Sequence, residues 1–112
     1  MQFSVGVGDR DDYTVVTPRG EVDFATALAL KQTLNEALAR GRAHLVVDLE
    51  AVDFLESTGL GALIGARRRA LGMGGSLSLV TTHQELLRIF RVTGMDTVFT
   101  IHDSVAAAVV SI

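Results

Sequence analysis

Asp53-Phe54-Leu55-Glu56-Ser57-Thr58-Gly59-Leu60-Gly61 decides how this chain is read. It follows the apolar, strand-like run Leu45-Val46-Val47-Asp48-Leu49 and leads into a stretch of helical character. Two adjacent hydroxyls, Ser57 and Thr58, therefore stand where a strand gives way to a helix. The first amides of a helix lack partners within it and favour negative charge. An anion held, added or removed at such a junction has large local consequences. The residues leave two roles open. One hydroxyl can cap the helix by accepting a backbone N–H, which contributes about 1 kcal/mol. The same geometry also suits a phosphorylated switch, because phosphate brings roughly 1.5 to 2 negative charges to a helix start that tolerates them.

Outward from this stretch the pattern is α/β. Ala43 to Leu49 is almost continuously apolar, which predicts a central strand buried on both faces. Upstream, Val5 and Val7 and then Tyr13 to Thr17 read as a hairpin around the polar turn Gly8-Asp9-Arg10-Asp11-Asp12. That acidic turn lacks the spaced ligands and closing Glu of a calcium loop. Gly20-Glu21-Val22-Asp23 ends the second strand, and Asp23 is placed to cap a helix reaching about Arg40. Ala27, Leu30, Leu34, Ala37 and Leu38 form its buried stripe, and Gly41 suits the left-handed position after it.

Downstream, a second helix is predicted from near Ser57 to about Leu71, broken by Gly72-Met73-Gly74-Gly75. Ser76 to Val80 alternates as a strand. Thr82-His83-Gln84-Glu85 matches a capping box for a third helix ending near Gly94. Val98 to Ile101 reads as a short strand, and Asp103 as the cap of a last helix containing Val105, Val109 and Val110.

The 112 residues suit a single domain, 1–112, and 48% of them are apolar, enough for one core. Without cysteine there is no disulfide, thiol nucleophile or Cys-based metal site, and a cytoplasmic location is expected. No run approaches the roughly 20 apolar residues of a membrane helix, and no signal peptide is visible at the N-terminus. A net charge of −3 argues against nucleic acid as the main partner. Arg67-Arg68-Arg69 is dense, but it spreads around a helix as a solvated face.

Enzymatic chemistry finds little support. His44, His83 and His102 are far apart and in no metal-ligand spacing. Ser57 lacks the Gly-x-Ser-x-Gly elbow, since Leu55 stands at the first Gly position. Gly59-Leu60-Gly61 lacks the lysine of a Walker loop and the third Gly of a dinucleotide fingerprint. The two glycines are expected to allow close backbone approach at the helix start. No catalytic residue, metal or cofactor is assigned. Leu60, one turn from Ser57, is either an exposed apolar anchor for a partner or part of the core.

The residues just read resemble the anti-sigma factor antagonists, small bacterial proteins of the STAS fold, and most closely those of actinobacteria. The resemblance spans the chain. It is carried by Gly20-Glu21-Val22-Asp23 with Thr26-Ala27, by Leu45 to Leu49, by Val52 to Gly61, and by Arg88-Ile89-Phe90-Arg91-Val92-Thr93-Gly94. It implies a small mixed sheet with about four helices packed mainly on one face. It also implies partner switching. The unphosphorylated antagonist binds an anti-sigma factor that is also a serine kinase, and a sigma factor is released. The kinase phosphorylates the first hydroxyl of the motif, here Ser57, and a PP2C-type phosphatase restores the active form. Glu21, Asp23, Glu56, Thr58, Gly59 and Leu60 are the implied recognition surroundings. The family usually has Asp before the acceptor, where this chain has Glu56. Two other readings are open: a STAS-type ligand sensor or transporter accessory subunit, since one fold serves several functions, and a small nucleotide-binding protein using Gly59-Leu60-Gly61.

Overall fold

The computed structural model describes residues 2–112. In chain order the elements are β1 Ser4–Asp9, β2 Thr14–Val22, α1 Phe24–Ala39, β3 His44–Asp48, β4 Val52–Leu55, α2 Ser57–Gly72, β5 Ser76–Val80, α3 Gln84–Val92, β6 Ile101–His102 and α4 Val105–Val110. A 3-10 turn, Met95–Thr97, follows α3.

The sheet runs β1-β2-β3-β5-β6, with β4 attached to β2. Among the described residues only the β1–β2 pair is antiparallel. β2 is long enough to serve two partners. Thr14 to Val16 pair with β3, and Gly20 to Val22 pair with β4. This explains why β2 runs past the expected Thr17, through Pro18 and Gly20.

Helices α1, α2 and α3 cover one face, burying Leu30, Leu34, Leu63, Leu86 and Phe90 in the main core with Leu45 and Val47 of β3. α4 covers the opposite face, where Ala108 packs with Val46 and Val80. β3 is thus wrapped on both sides, which is why its sequence does not alternate. The stripe read on α1 is buried as expected. Gly41 adopts φ 82°, the left-handed position that ends this helix.

Four local expectations are corrected. β4 was not anticipated as a strand. The capping box at Thr82 does not form: its backbone N–H and its hydroxyl both donate to Glu50 Oε2 in the β3–β4 turn, at 3.2 and 3.1 Å. The residue preceding α3 is His83, whose own amide donates to Thr81 Oγ1. α4 is capped by Ser104 rather than Asp103, its Oγ accepting from the Ala107 amide at 3.1 Å. Val98 and Phe99 are not in a strand; Phe99 turns into the core, edge-on to Phe90 with ring centroids 6.2 Å apart.

Gly75 marks a tight crossing, because a Cβ there would lie 2.0 Å from the Ala43 carbonyl oxygen. Backbone cannot yield as a flexible side chain does, so Gly75→Ala should destabilise the protein by about 3 kcal/mol. Gly72→Ala, where a Cβ meets nothing within 4 Å, should leave stability unchanged or slightly raised. Urea denaturation of the two variants checks the contrast.

Candidate functional site

β2 and β4 end together. Glu21 pairs with Phe54 and Val22 with Leu55, and the Glu56 amide donates to the Val22 carbonyl at 3.1 Å. α1 and α2 therefore begin side by side at one pole of the sheet. Gly59 permits this approach: a Cβ there would stand 2.6 Å from both Leu55 Cδ1 and Val22 Cγ1. Gly61, expected to do the same, does not. A Cβ on it meets nothing within 4 Å.

The α1 start is closed by a reciprocal cap. Asp23 Oδ1 accepts from the Thr26 amide at 3.0 Å, and Thr26 Oγ1 accepts from the Asp23 amide at 2.9 Å. The Thr26 hydroxyl also donates to the Glu21 carbonyl at 2.6 Å, fixing the turn. The hydrogen bond from the Thr26 backbone holds the Asp23 carboxyl below its ordinary pKa of 3.8.

The α2 start is built differently. The residue at its cap position is Glu56, and no side-chain cap closes the first turn. Neither Ser57 nor Thr58 takes the capping role, because both lie inside the helix rather than before it. Thr58 Oγ1 instead donates to Glu56 Oε1 at 2.7 Å. The additional methylene of Glu56 carries its carboxylate to that hydroxyl. Ser57, the first helical residue, is exposed.

Glu21 is exposed with Ser57, and Asp23, Glu56 and Thr58 are partly so. Three carboxylates thus gather around the two helix starts. Gly59 is buried, and Leu60 is only 7% exposed within the main core. Leu60 is therefore not an exposed anchor, since its turn of α2 faces the sheet. The exposed apolar side chains of this region are Phe24, Leu28 and Phe54, at 80%, 59% and 46%. Sequence reasoning passed over Phe24 and Leu28. Their signal was an apolar pair at i and i+4 on α1 beside the Ala27–Leu30–Leu34 stripe.

Among the described residues no cluster of three or more His, Asp or Glu could hold a metal ion. The histidines occupy separate structural contacts: His44 with Ser76 Oγ, His83 with the Glu50 carbonyl, and His102 with Ser111 Oγ. Among the described residues no helix is long and apolar enough to cross a membrane.

Residues 6–108 match the STAS domain. The anti-sigma-F factor antagonist RsfB of Mycobacterium tuberculosis is 32% identical over 106 residues, covering 91% of this chain and 86% of that protein. The anti-sigma-B factor antagonist of Bacillus subtilis is 33% identical over 95 residues, with 85% and 86% covered. A crystal structure of an anti-sigma factor antagonist from Mycobacterium paratuberculosis superposes with a TM-score of 0.90 at 31% identity, covering 98% of this chain and 93% of that one. Bacillus SpoIIAA shares the fold in its unphosphorylated and phosphorylated forms, with TM-scores of 0.72 and 0.70 at 17% and 19% identity. Those superpositions cover 98% and 95% of this chain and 96% of each SpoIIAA chain. The chain belongs to the STAS domain family, among its anti-sigma factor antagonists.

Two outcomes follow from the unequal helix starts. Glu56→Asp shortens the side chain to one that can cap α2, and should raise stability by about 1 kcal/mol. Thermal melts measure it. Asp23→Ala should melt below wild type at neutral pH. A carboxyl whose folded pKa is depressed stabilises the fold while ionised, and that contribution is lost as pH falls through the folded value. The gap between the two proteins should therefore narrow below pH 3.8.

Proposed function

We propose that this protein is a phosphorylation-switched antagonist of an anti-sigma factor. Unphosphorylated, it binds an anti-sigma factor that is also a serine kinase, and a sigma factor is released. Phosphorylation of Ser57 ends the interaction, and a PP2C-type phosphatase restores the binding form. The protein acts in the cytoplasm as ligand and substrate rather than as catalyst, with no call on nucleic acid, membrane or cofactor.

The observation that carries this reading is the exposed Ser57 at a helix start whose first turn has no side-chain cap. A phosphate there meets the positive end of the α2 dipole and amides able to donate to it. The fold is thus able to accept the charge. A docked protein is not, because Glu21, Asp23 and Glu56 already make the surface acidic and the phosphate adds to them. Thr58, engaged by Glu56, serves as a contact rather than the acceptor. Gly59 and Leu60 contribute from beneath, by setting how closely α2 sits on β2 and β4. The M. tuberculosis and B. subtilis relatives are named as antagonists of different anti-sigma factors at nearly equal identity, so neither name transfers to this chain's own target.

Losing two charge-sensitive contacts of roughly 1.5–2 kcal/mol each weakens binding about 10²- to 10³-fold. Incubation with ATP and the kinase, followed by intact-mass measurement and peptide mapping, should show one phosphate on Ser57. Ser57→Ala should bind the kinase and gain none. Ser57→Asp should weaken binding only in part, since one charge replaces nearly two. A phosphate acquired by the Ser57→Ala protein sinks the acceptor assignment.

A further inference from the structure

The switch chemistry leaves one feature of this pole unused. α1 and α2 are separated by an open groove of about 580 Å³. Phe24 and Leu28 line it, and they are among the most exposed large apolar side chains described. Thr58 lies on the groove near the start of α2, and Lys31 and Arg69 lie on it further along the two helices. The Arg69 guanidinium folds over Gly65, with Nη1 3.4 Å from where a Cβ would sit. Because both helices begin at the same pole, the groove has a direction. Its mouth lies beside the two cap residues, Asp23 preceding Phe24 and Glu56 bonded to Thr58, and two cations lie further along it. Among the described residues the salt bridges engage Arg40, Arg42 and His83, and neither Lys31 nor Arg69.

We propose that this groove docks an amphipathic helix of the anti-sigma factor kinase. Its apolar stripe lies against Phe24 and Leu28, its acidic end meets Lys31 and Arg69, and its basic or amide-rich end faces Asp23 and Glu56. The inference rests on the functional reading above. Two observations choose this occupant. Thr58 lines the groove and is the neighbour of Ser57, so a kinase reaching the acceptor already overlies the groove mouth. The charges at the two ends are opposite, which selects a segment of matching polarity and fixes its direction. From Thr58 to the Arg69 guanidinium beside Gly65 the track is about 10 Å, or two helical turns. Gly61 lies on this surface with open space where its side chain would be. A mid-helix glycine costs about 1 kcal/mol relative to alanine. Neither packing nor a positive φ requires it here, and its bare backbone leaves room for close approach from outside.

The test uses the full chain and the anti-sigma factor kinase that phosphorylates wild type at Ser57, with affinity read by calorimetry. Gly61→Leu puts an apolar side chain into the groove from a position where its Cβ meets nothing within 4 Å. It should melt at or above the wild-type temperature yet bind about tenfold or more weakly. Leu28→Asp should weaken binding similarly, and the Lys31→Glu, Arg69→Glu double variant should weaken it with a changed salt dependence. If Gly61→Leu and Leu28→Asp both bind within about twofold of wild type while wild type is still phosphorylated at Ser57, the docking inference alone fails. If these substitutions turn a dimer into a monomer by light scattering and leave kinase affinity unchanged, the groove holds a second copy and the inference is overturned. A wild-type chain that no anti-sigma factor kinase phosphorylates overturns the functional reading, and this inference with it.

Discussion

The parallel pairing of the last residues of β2 with β4 is the constraint on which the proposed recognition pole depends. It brings two chain reversals, at Asp23 and at Glu56, to the same edge of the sheet, joined by the Glu56 amide on the Val22 carbonyl. Gly59 then seats α2 directly on Val22 and Leu55. Without that contact the α2 start would stand off from the α1 start, and the carboxylates would not share one surface. The constraint is steric. It asks of residue 59 only that it have no side chain.

The two helix starts divide the labour. At α1 the polar groups are used up internally: Asp23 and Thr26 satisfy each other, and the turn is held by the Glu21 carbonyl. At α2 they are not. Glu56 reaches sideways to Thr58 and leaves the first turn without a side-chain acceptor. One start is a rigid reference and the other is a receptive end. With Ser57 on the receptive one, the proposed phosphate would add charge without disturbing the reference beside it.

Much of the fold was legible in the chain. The unbroken apolar run of β3, the 3.6-residue stripe on α1 and the Asp23 cap are local patterns that the structure repeats. β4 was not legible. Four residues with a polar Asp53 and an exposed Phe54 neither alternate nor form an apolar run, and the strand exists only because β2 offers a second half to pair with. The cap of α3 was misplaced because a distant group, Glu50, engages Thr82, and that of α4 because Asp103 and Ser104 stand in succession and Ser104 takes the role. At the candidate site, the residues alone favoured the cap over the switch, and the family likeness drew attention to the switch. The burial of Leu60 depends on how α2 lies across the sheet, which no local pattern encodes.

The antiparallel hairpin also settles where the chain enters. Ser4 pairs with Arg19, close to the end of β2, so the polypeptide arrives at the same pole that carries Ser57. The last helix leads away from it, because α4 starts where β6 finishes at that pole and turns back along the sheet. Anything fused ahead of Ser4 would crowd a partner docked as proposed at Ser57, whereas a fusion placed beyond α4 leads away from that pole. Affinity handles and fluorescent reporters for this molecule belong beyond α4 rather than ahead of β1.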